Sequence, residues 1–115
     1  MCKTFIESIE FTDWFEAYLG DEGLLALQRV LLDDPDAGDV MPGCGGLRKL
    51  RVADPRRGKG KRGGARVIYL HVEEANVIFL VTVYGKNQKD DLSADDKTLY
   101  RRFAQVLKQQ ARRFQ

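Results

Sequence analysis

Histidine is almost missing from this chain: His71 is the only one in 115 residues, beside two cysteines and one tryptophan. Cys2 and Cys44 provide no paired-cysteine or Cys/His spacing of the kind a structural zinc site needs. His71 falls in a strand-like segment near a turn, which leaves no histidine pair for acid–base work and none set to activate Cys44 as a nucleophile. No apolar run approaches membrane-spanning length, and Met1-Cys2-Lys3-Thr4-Phe5 has no signal-peptide core. The expectation is a cytoplasmic chain without membrane association, in which a Cys2–Cys44 disulfide is not expected. At 115 residues, with 43% hydrophobic and 31% charged residues, it reads as one globular domain, 1–115, too short for two. There is no internal repeat.

What the chain does have is a concentrated charge. Between Gly46 and Leu70 stand nine Lys or Arg residues against one acid, Asp54, a local balance of +8 in a chain whose total is +2. Residues 1–45 carry the opposite bias, ten acids and two bases. The basic window is therefore where a polyanion would bind, with the remainder supporting it. Its centre, Gly58-Lys59-Gly60-Lys61-Arg62-Gly63, is not a P-loop: it lacks a Lys-Ser or Lys-Thr pair and does not lead from a strand into a helix.

Periodicity gives the elements. Lys3 to Glu10 reads as a strand, followed by a short helix from Asp13 to Leu19 capped by Thr12, and a second helix capped by Asp21. Leu24, Leu27 and Leu31 recur on that second helix, which ends at Asp33-Asp34-Pro35. After the loop 36–46, Leu47 to Val52 alternates as a half-buried strand, and a basic, Gly-rich connection fills 53–64. Ala65 to Val72 and Val77 to Tyr84 form a hairpin around the turn 73–76. Residues 85–92 leave the sheet, and Ser93 caps a C-terminal helix running to about Arg113. Leu99, Phe103, Val106, Leu107 and Phe114 are read as its apolar face. The order β-α-α-β-β-β-α is that of an α+β fold with two N-terminal helices, an antiparallel-dominated sheet and a C-terminal helix.

An ungapped hairpin would set Arg66 opposite Val83, Ala65 opposite Tyr84 and Gly63 opposite Lys86. Arg66, Tyr84 and Lys86 then meet at the basic end of the sheet, where the preceding strand adds Arg48, Lys49 and Arg51. Cations around an aromatic ring suit single-stranded RNA, which needs phosphate neutralisation and a surface for base stacking. The bland alternative is a loop of solvated charges. It accounts for Lys59, Lys61 and Arg62 better than for Arg66, which begins a strand and needs an anionic partner.

Four stretches carry a family resemblance. They are Asp36-Ala37-Gly38-Asp39-Val40-Met41-Pro42-Gly43, Gly46-Leu47-Arg48-Lys49-Leu50-Arg51, Gly60-Lys61-Arg62-Gly63-Gly64-Ala65-Arg66-Val67-Ile68-Tyr69 and Tyr84-Gly85-Lys86-Asn87-Gln88-Lys89-Asp90-Asp91-Leu92-Ser93. In order and spacing they resemble the HigB-type toxins of the RelE superfamily, over nearly the whole chain. The resemblance implies a RelE-like fold and a toxin of a bacterial type II toxin–antitoxin pair. It further implies an endoribonuclease that cuts mRNA on the ribosome without metal or other cofactor, and a co-encoded helix-turn-helix antitoxin of the HigA type as partner. By motif, Arg66 stabilises the transition-state phosphate, and Lys86 serves as base, acid or electrostatic stabiliser. Lys49 and Arg51 hold the RNA backbone, with Arg48 and Tyr84 beside them, and Lys59, Lys61, Arg62 and Lys89 contact ribosomal RNA or mRNA. Where some members have a second arginine after the last strand and a tyrosine beyond it, this chain has Asn87 and no tyrosine before Ser93.

Two other readings stand beside this one. ParE-type toxins use the same fold to inhibit DNA gyrase by binding, without cutting RNA. A member without activity of its own would act only as an antitoxin-bound repressor component. The acidic N-terminal helices and the outer sheet edge are the two surfaces that offer themselves to an antitoxin.

Overall fold

The chain organises around two strands that read as almost unbroken apolar runs, β4 (Ala65–Val72) and β5 (Val77–Gly85). Such runs belong to strands covered on both faces, and the computed structural model shows them covered so. It describes residues 3–53, 64–85 and 92–113. Within these, the remaining elements are β1 (Thr4–Glu7), α1 (Ile9–Tyr18), α2 (Gly20–Asp33), β2 (Asp39–Val40), β3 (Arg48–Val52), a single 3₁₀ turn (Glu73–Ala75) and α3 (Ala94–Arg112). The sheet order is β1-β5-β4-β3-β2, with β1 parallel to β5 and the other pairs antiparallel. The expected α+β class and element order hold, with β2 as an added two-residue edge strand. No helix among the described residues is long and apolar enough to cross a membrane.

Alternation along the strands divides the core. Val67, Tyr69, Ile78 and Leu80 pack with Phe11, Leu27 and Leu31 of α1 and α2 on one face. Ile68, Leu70, Phe79 and Val81 pack with Ala104, Leu107 and Ala111 of α3 on the other.

Four local expectations are corrected. The first helix starts at Ile9, not Asp13, and β1 ends at Glu7, not Glu10. Ser8 is the cap: its hydroxyl accepts from the Phe11 amide at 3.0 Å and donates to the Val81 carbonyl, tying the helix start to β5. Thr12 instead donates to the Glu7 carboxylate. The earlier start also places Phe11 and Phe15 one turn apart, their rings stacked with centroids 6.0 Å apart. The second helix follows at once through Gly20, whose φ of +66° makes the corner, and Asp21 lies inside its first turn rather than capping it.

The hairpin pairs as expected from Val72↔Val77 to Tyr69↔Leu80, but an irregularity between Ile68 and Tyr69 then shifts it by one residue. Arg66 therefore faces Tyr84, not Val83, and Ala65 faces Gly85. An extra residue in one strand is the usual cause of such a step, and sequence alternation does not announce it in a run buried on both faces.

The C-terminal helix begins at Ser93 as expected, with a reciprocal capping box to Asp96. Of the expected inward face, Leu107 is buried as expected, but Leu99, Phe103 and Val106 are not. Tyr100, Ala104, Leu107 and Ala111 pack on the sheet, whereas Leu99, Phe103 and Val106 are 64%, 37% and 47% exposed. The alanines let the turn at Gly45 approach closely: a Cβ there would lie 3.0 Å from that of Ala104 and 3.2 Å from the Arg101 carbonyl. A bulky stripe could not sit against that turn.

Candidate functional site

On β3, the residues that alternate with Leu50 point to the α3 side of the sheet. Arg51 of β3 pairs with Arg66 of β4, which pairs with Tyr84 of β5, so these three side chains form a row across the sheet. Lys49 stands in the next row, opposite Ile68. Paired neighbours on one face have Cβ atoms about 5 Å apart, so the fold sets two arginines side by side, Arg66 buried and Arg51 exposed.

Arg66 is 6% exposed, and among the described residues its Nε and Nη1 have no hydrogen-bond partner. Burying an ion costs several kcal/mol unless a counter-charge and hydrogen bonds offset it. Placing a second arginine beside it adds repulsion. A bound anion would relieve both, donating nothing and accepting from the free N–H groups.

Beside this row opens a cleft of about 750 Å³ whose walls include Lys49, Arg51 and Lys97, with Met41, Cys44 and Leu92. A second cavity, about 340 Å³, shares Met41 and Leu92 with it and is floored by Ile68 and Tyr84. The β2 wall is held rigidly from beneath. Fully buried Tyr69 donates to the Pro35 carbonyl at 2.8 Å and accepts from the Gly38 amide at 2.9 Å. Burial pushes its phenol above the ordinary value. Gly38 is needed there, since a Cβ would come within 2.9 Å of the Tyr69 ring and 3.0 Å of the Lys49 carbonyl.

Arg48 does not join the row. It pairs with Tyr69 and projects to the opposite face, donating to the Gly38 carbonyl at 2.8 Å and lying 3.6 Å from the Asp36 carboxylate. Its engagement is with the Asp36–Gly38 loop. His71 is likewise occupied away from the cleft, between Lys3 and Asp36. Cys44 is buried with a free thiol. Lys59, Lys61, Arg62, Lys86 and Lys89 lie outside the described residues, as do Asp90, Asp91, Phe114 and Cys2. Among the described residues no group of three His, Cys, Asp or Glu side chains is set to hold a metal.

Lys97 was not among the residues the sequence singled out. The signal was present: Lys97, Tyr100, Ala104, Leu107 and Ala111 alternate three and four apart, a helix face with a lysine at its cleft end.

A family model described as the RelE toxin of the RelE/RelB toxin–antitoxin system matches residues 21–113. The chain belongs to the RelE toxin family. Solved structures agree in fold. The isolated E. coli RelE toxin superposes with a TM-score of 0.55 at 16% identity, covering 94% of this chain and 98% of that one. An E. coli RelE mutant with two arginines replaced by alanine, in the free state, gives 0.56 at 18% identity, covering 76% and 86%. The E. coli RelBE toxin–antitoxin complex gives 0.56 at 19% identity, covering 76% and 100%. At these identities the likeness to RelE is one of fold. The family match begins at residue 21, so β1 and α1 precede it.

Proposed function

We propose that this RelE-family chain is a HigB-type toxin, a single domain over 1–115, that acts in the cytoplasm by cutting mRNA on the ribosome without a metal. The observation that carries the reading is Arg66: a buried guanidinium with two nitrogens unpartnered among the described residues, flanked by Arg51 and Tyr84 and bordered by a cleft bearing Lys49 and Lys97.

In the reaction we propose, the ribose 2′-oxygen bonds to the adjacent phosphorus and the bond from phosphorus to the 5′-oxygen breaks. The products are a 2′,3′-cyclic phosphate and a free 5′-hydroxyl. A base removes the 2′-proton and an acid supplies one to the leaving oxygen, with Lys86 in one of these roles or as an electrostatic stabiliser. Arg66 donates to the non-bridging oxygens as negative charge accumulates on them, a stabilisation that grows toward the transition state. Lys49, Arg51 and Lys97 hold neighbouring phosphates, and Lys59, Lys61, Arg62 and Lys89 contact ribosomal RNA or mRNA. Arg48 supports the cleft wall rather than touching RNA.

The partner in this reading is a helix-turn-helix antitoxin of the HigA type. Leu99, Phe103 and Val106, exposed along one side of α3, offer it an apolar stripe.

Expression without the antitoxin tests the reading. It predicts growth arrest, new mRNA 5′ ends inside coding regions, and unimpaired gyrase supercoiling. Arrest with intact mRNA and blocked supercoiling would replace it with the gyrase reading. No arrest at all would leave only a repressor component.

A further inference from the structure

The second cavity is chemically unlike the first. Its walls include Trp14 and Tyr18 of α1, Tyr84 of β5 and Tyr100 of α3, with Glu10 as the only charged side chain among the described lining residues. The cationic cleft next door meets it at Met41 and Leu92. Tyr84 is also the register partner of Arg66, so the aromatic space lies directly beside the buried guanidinium.

We propose that this 340 Å³ cavity is a nucleobase pocket, and that Glu10 selects there a base presenting N–H donors, guanine first and uracil last. The proposal rests on the RNA-cleaving reading of the same face. Single-stranded RNA alternates phosphates with bases, so a phosphate at Arg66 must send a neighbouring base to one side. The aromatic cavity is the adjoining space whose surfaces suit a base and not a phosphate. Its volume lies at the small end of the range for ligand pockets, about 300–1,000 Å³. That fits one base rather than a folded segment.

Trp14 is the chain's only tryptophan and is 54% exposed. Leaving so large a ring in water is costly unless something covers it. Gly85 lets the Tyr18 ring lie close against the end of β5, since a Cβ there would meet that ring at 3.0 Å.

Glu10 supplies the selectivity. Its charge is felt in the pocket, raising the Tyr100 phenol together with burial, the larger cause. A carboxylate repels phosphate, which keeps the RNA backbone out of this half. It only accepts hydrogen bonds. Guanine offers two adjacent N–H donors on its Watson–Crick edge, matching two carboxylate oxygens. Adenine and cytosine offer an amino group beside an acceptor. Uracil sets its one N–H between two carbonyls that face the carboxylate unfavourably.

The test is 5′-end mapping on mixed mRNA in a translating extract, comparing wild type, Glu10→Gln and Trp14→Ala, with Trp14 fluorescence as a second readout. Wild type is expected to enrich guanine over uracil at least about five-fold at one fixed position beside the cut, and Glu10→Gln to cut with that enrichment lost. Trp14→Ala is expected to weaken cleavage at limiting protein by roughly 5- to 100-fold, the worth of one stacked base. A 2′-deoxy oligonucleotide carrying guanine quenches Trp14 emission in the wild type more than its uracil counterpart. If Glu10→Gln and Trp14→Ala cut with the wild-type rate and base profile, the pocket is overturned while RNA cleavage stands. If wild type cuts nothing, the underlying reading fails with it. Quenching of Trp14 by purified antitoxin but by no oligonucleotide assigns the cavity to a protein and overturns the proposal.

Discussion

The Tyr69 phenol satisfies two backbone groups of the loop that forms the cleft wall, the Pro35 carbonyl and the Gly38 amide. Tyr69→Phe keeps the ring and strands both groups, one of them in a fully buried setting, so a loss of about 1–3 kcal/mol is expected in urea unfolding. An unchanged midpoint would show that water reaches the loop. Arg48→Ala loosens the same loop from the other side and should lower stability with little direct effect on RNA affinity, whereas Lys49→Ala and Lys97→Ala should weaken affinity and flatten its salt dependence by about one counterion each. Filter-binding titrations at several salt concentrations separate the two behaviours. Whether a basic residue lies in the cleft was only partly legible from the sequence. Alternation put Lys49 and Arg51 on one face, but Arg48, equally basic and adjacent, is turned away by the same alternation and taken up by Asp36 and Gly38. A charge count over the window treats all three alike.

Among the elements, α3 shows what periodicity reveals and what it hides. Ser93, with Asp96 three residues on, announced the helix start, and the capping box is there. Ser93→Ala should cost about 1 kcal/mol in thermal unfolding. Leu107 faces inward as expected, but the helix carries two apolar stripes, and size favours the one bearing Leu99, Phe103 and Val106. Close packing on Gly45 selects the alanine stripe, and that requirement lives in the 42–46 turn, not in the helix. Gly45 has φ +72° and almost no room for a Cβ. Gly45→Ala should therefore lower stability by about 1–3 kcal/mol, adding left-handed strain to overlap with α3. A variant as stable as wild type in the same melt would show that α3 can move away. The hairpin carries the parallel lesson. Its two strands and turn were evident, but the one-residue step that puts Tyr84 opposite Arg66 depends on a packing irregularity within an apolar run.

At the scale of the whole molecule, the sheet joins what the chain separates: Arg51, Arg66 and Tyr84 come from three strands to make one row. Fold class and element order followed from patterning, while the aromatic cavity did not. It needs α1 brought against β5 and α3 laid across the sheet, contacts with no local signature. Burial of Tyr69 and Tyr100 also gives the molecule a pH response. Burial raises both phenols above their ordinary value of 10.0, with Glu10 and Asp96 adding to it at Tyr100. A raised folded-state value means that the unfolded chain releases these protons first, so their contribution is fully present below about pH 10 and is lost as pH rises further. Urea midpoints should fall above pH 10, less steeply in Tyr100→Phe. The same slope in both proteins would remove Tyr100 from the account.

The central claim is that the buried Arg66 stabilises charge on the scissile phosphate. Its most direct test is the initial rate of mRNA cleavage in a translating extract, read as new 5′ ends, for wild type, Arg66→Lys and Arg66→Ala, each verified as folded by its circular dichroism melt. The account predicts a loss of roughly 10²–10³ for Arg66→Ala, the worth of one preorganised donor, with partial activity in Arg66→Lys. A folded Arg66→Ala protein that cuts at the wild-type rate would contradict it.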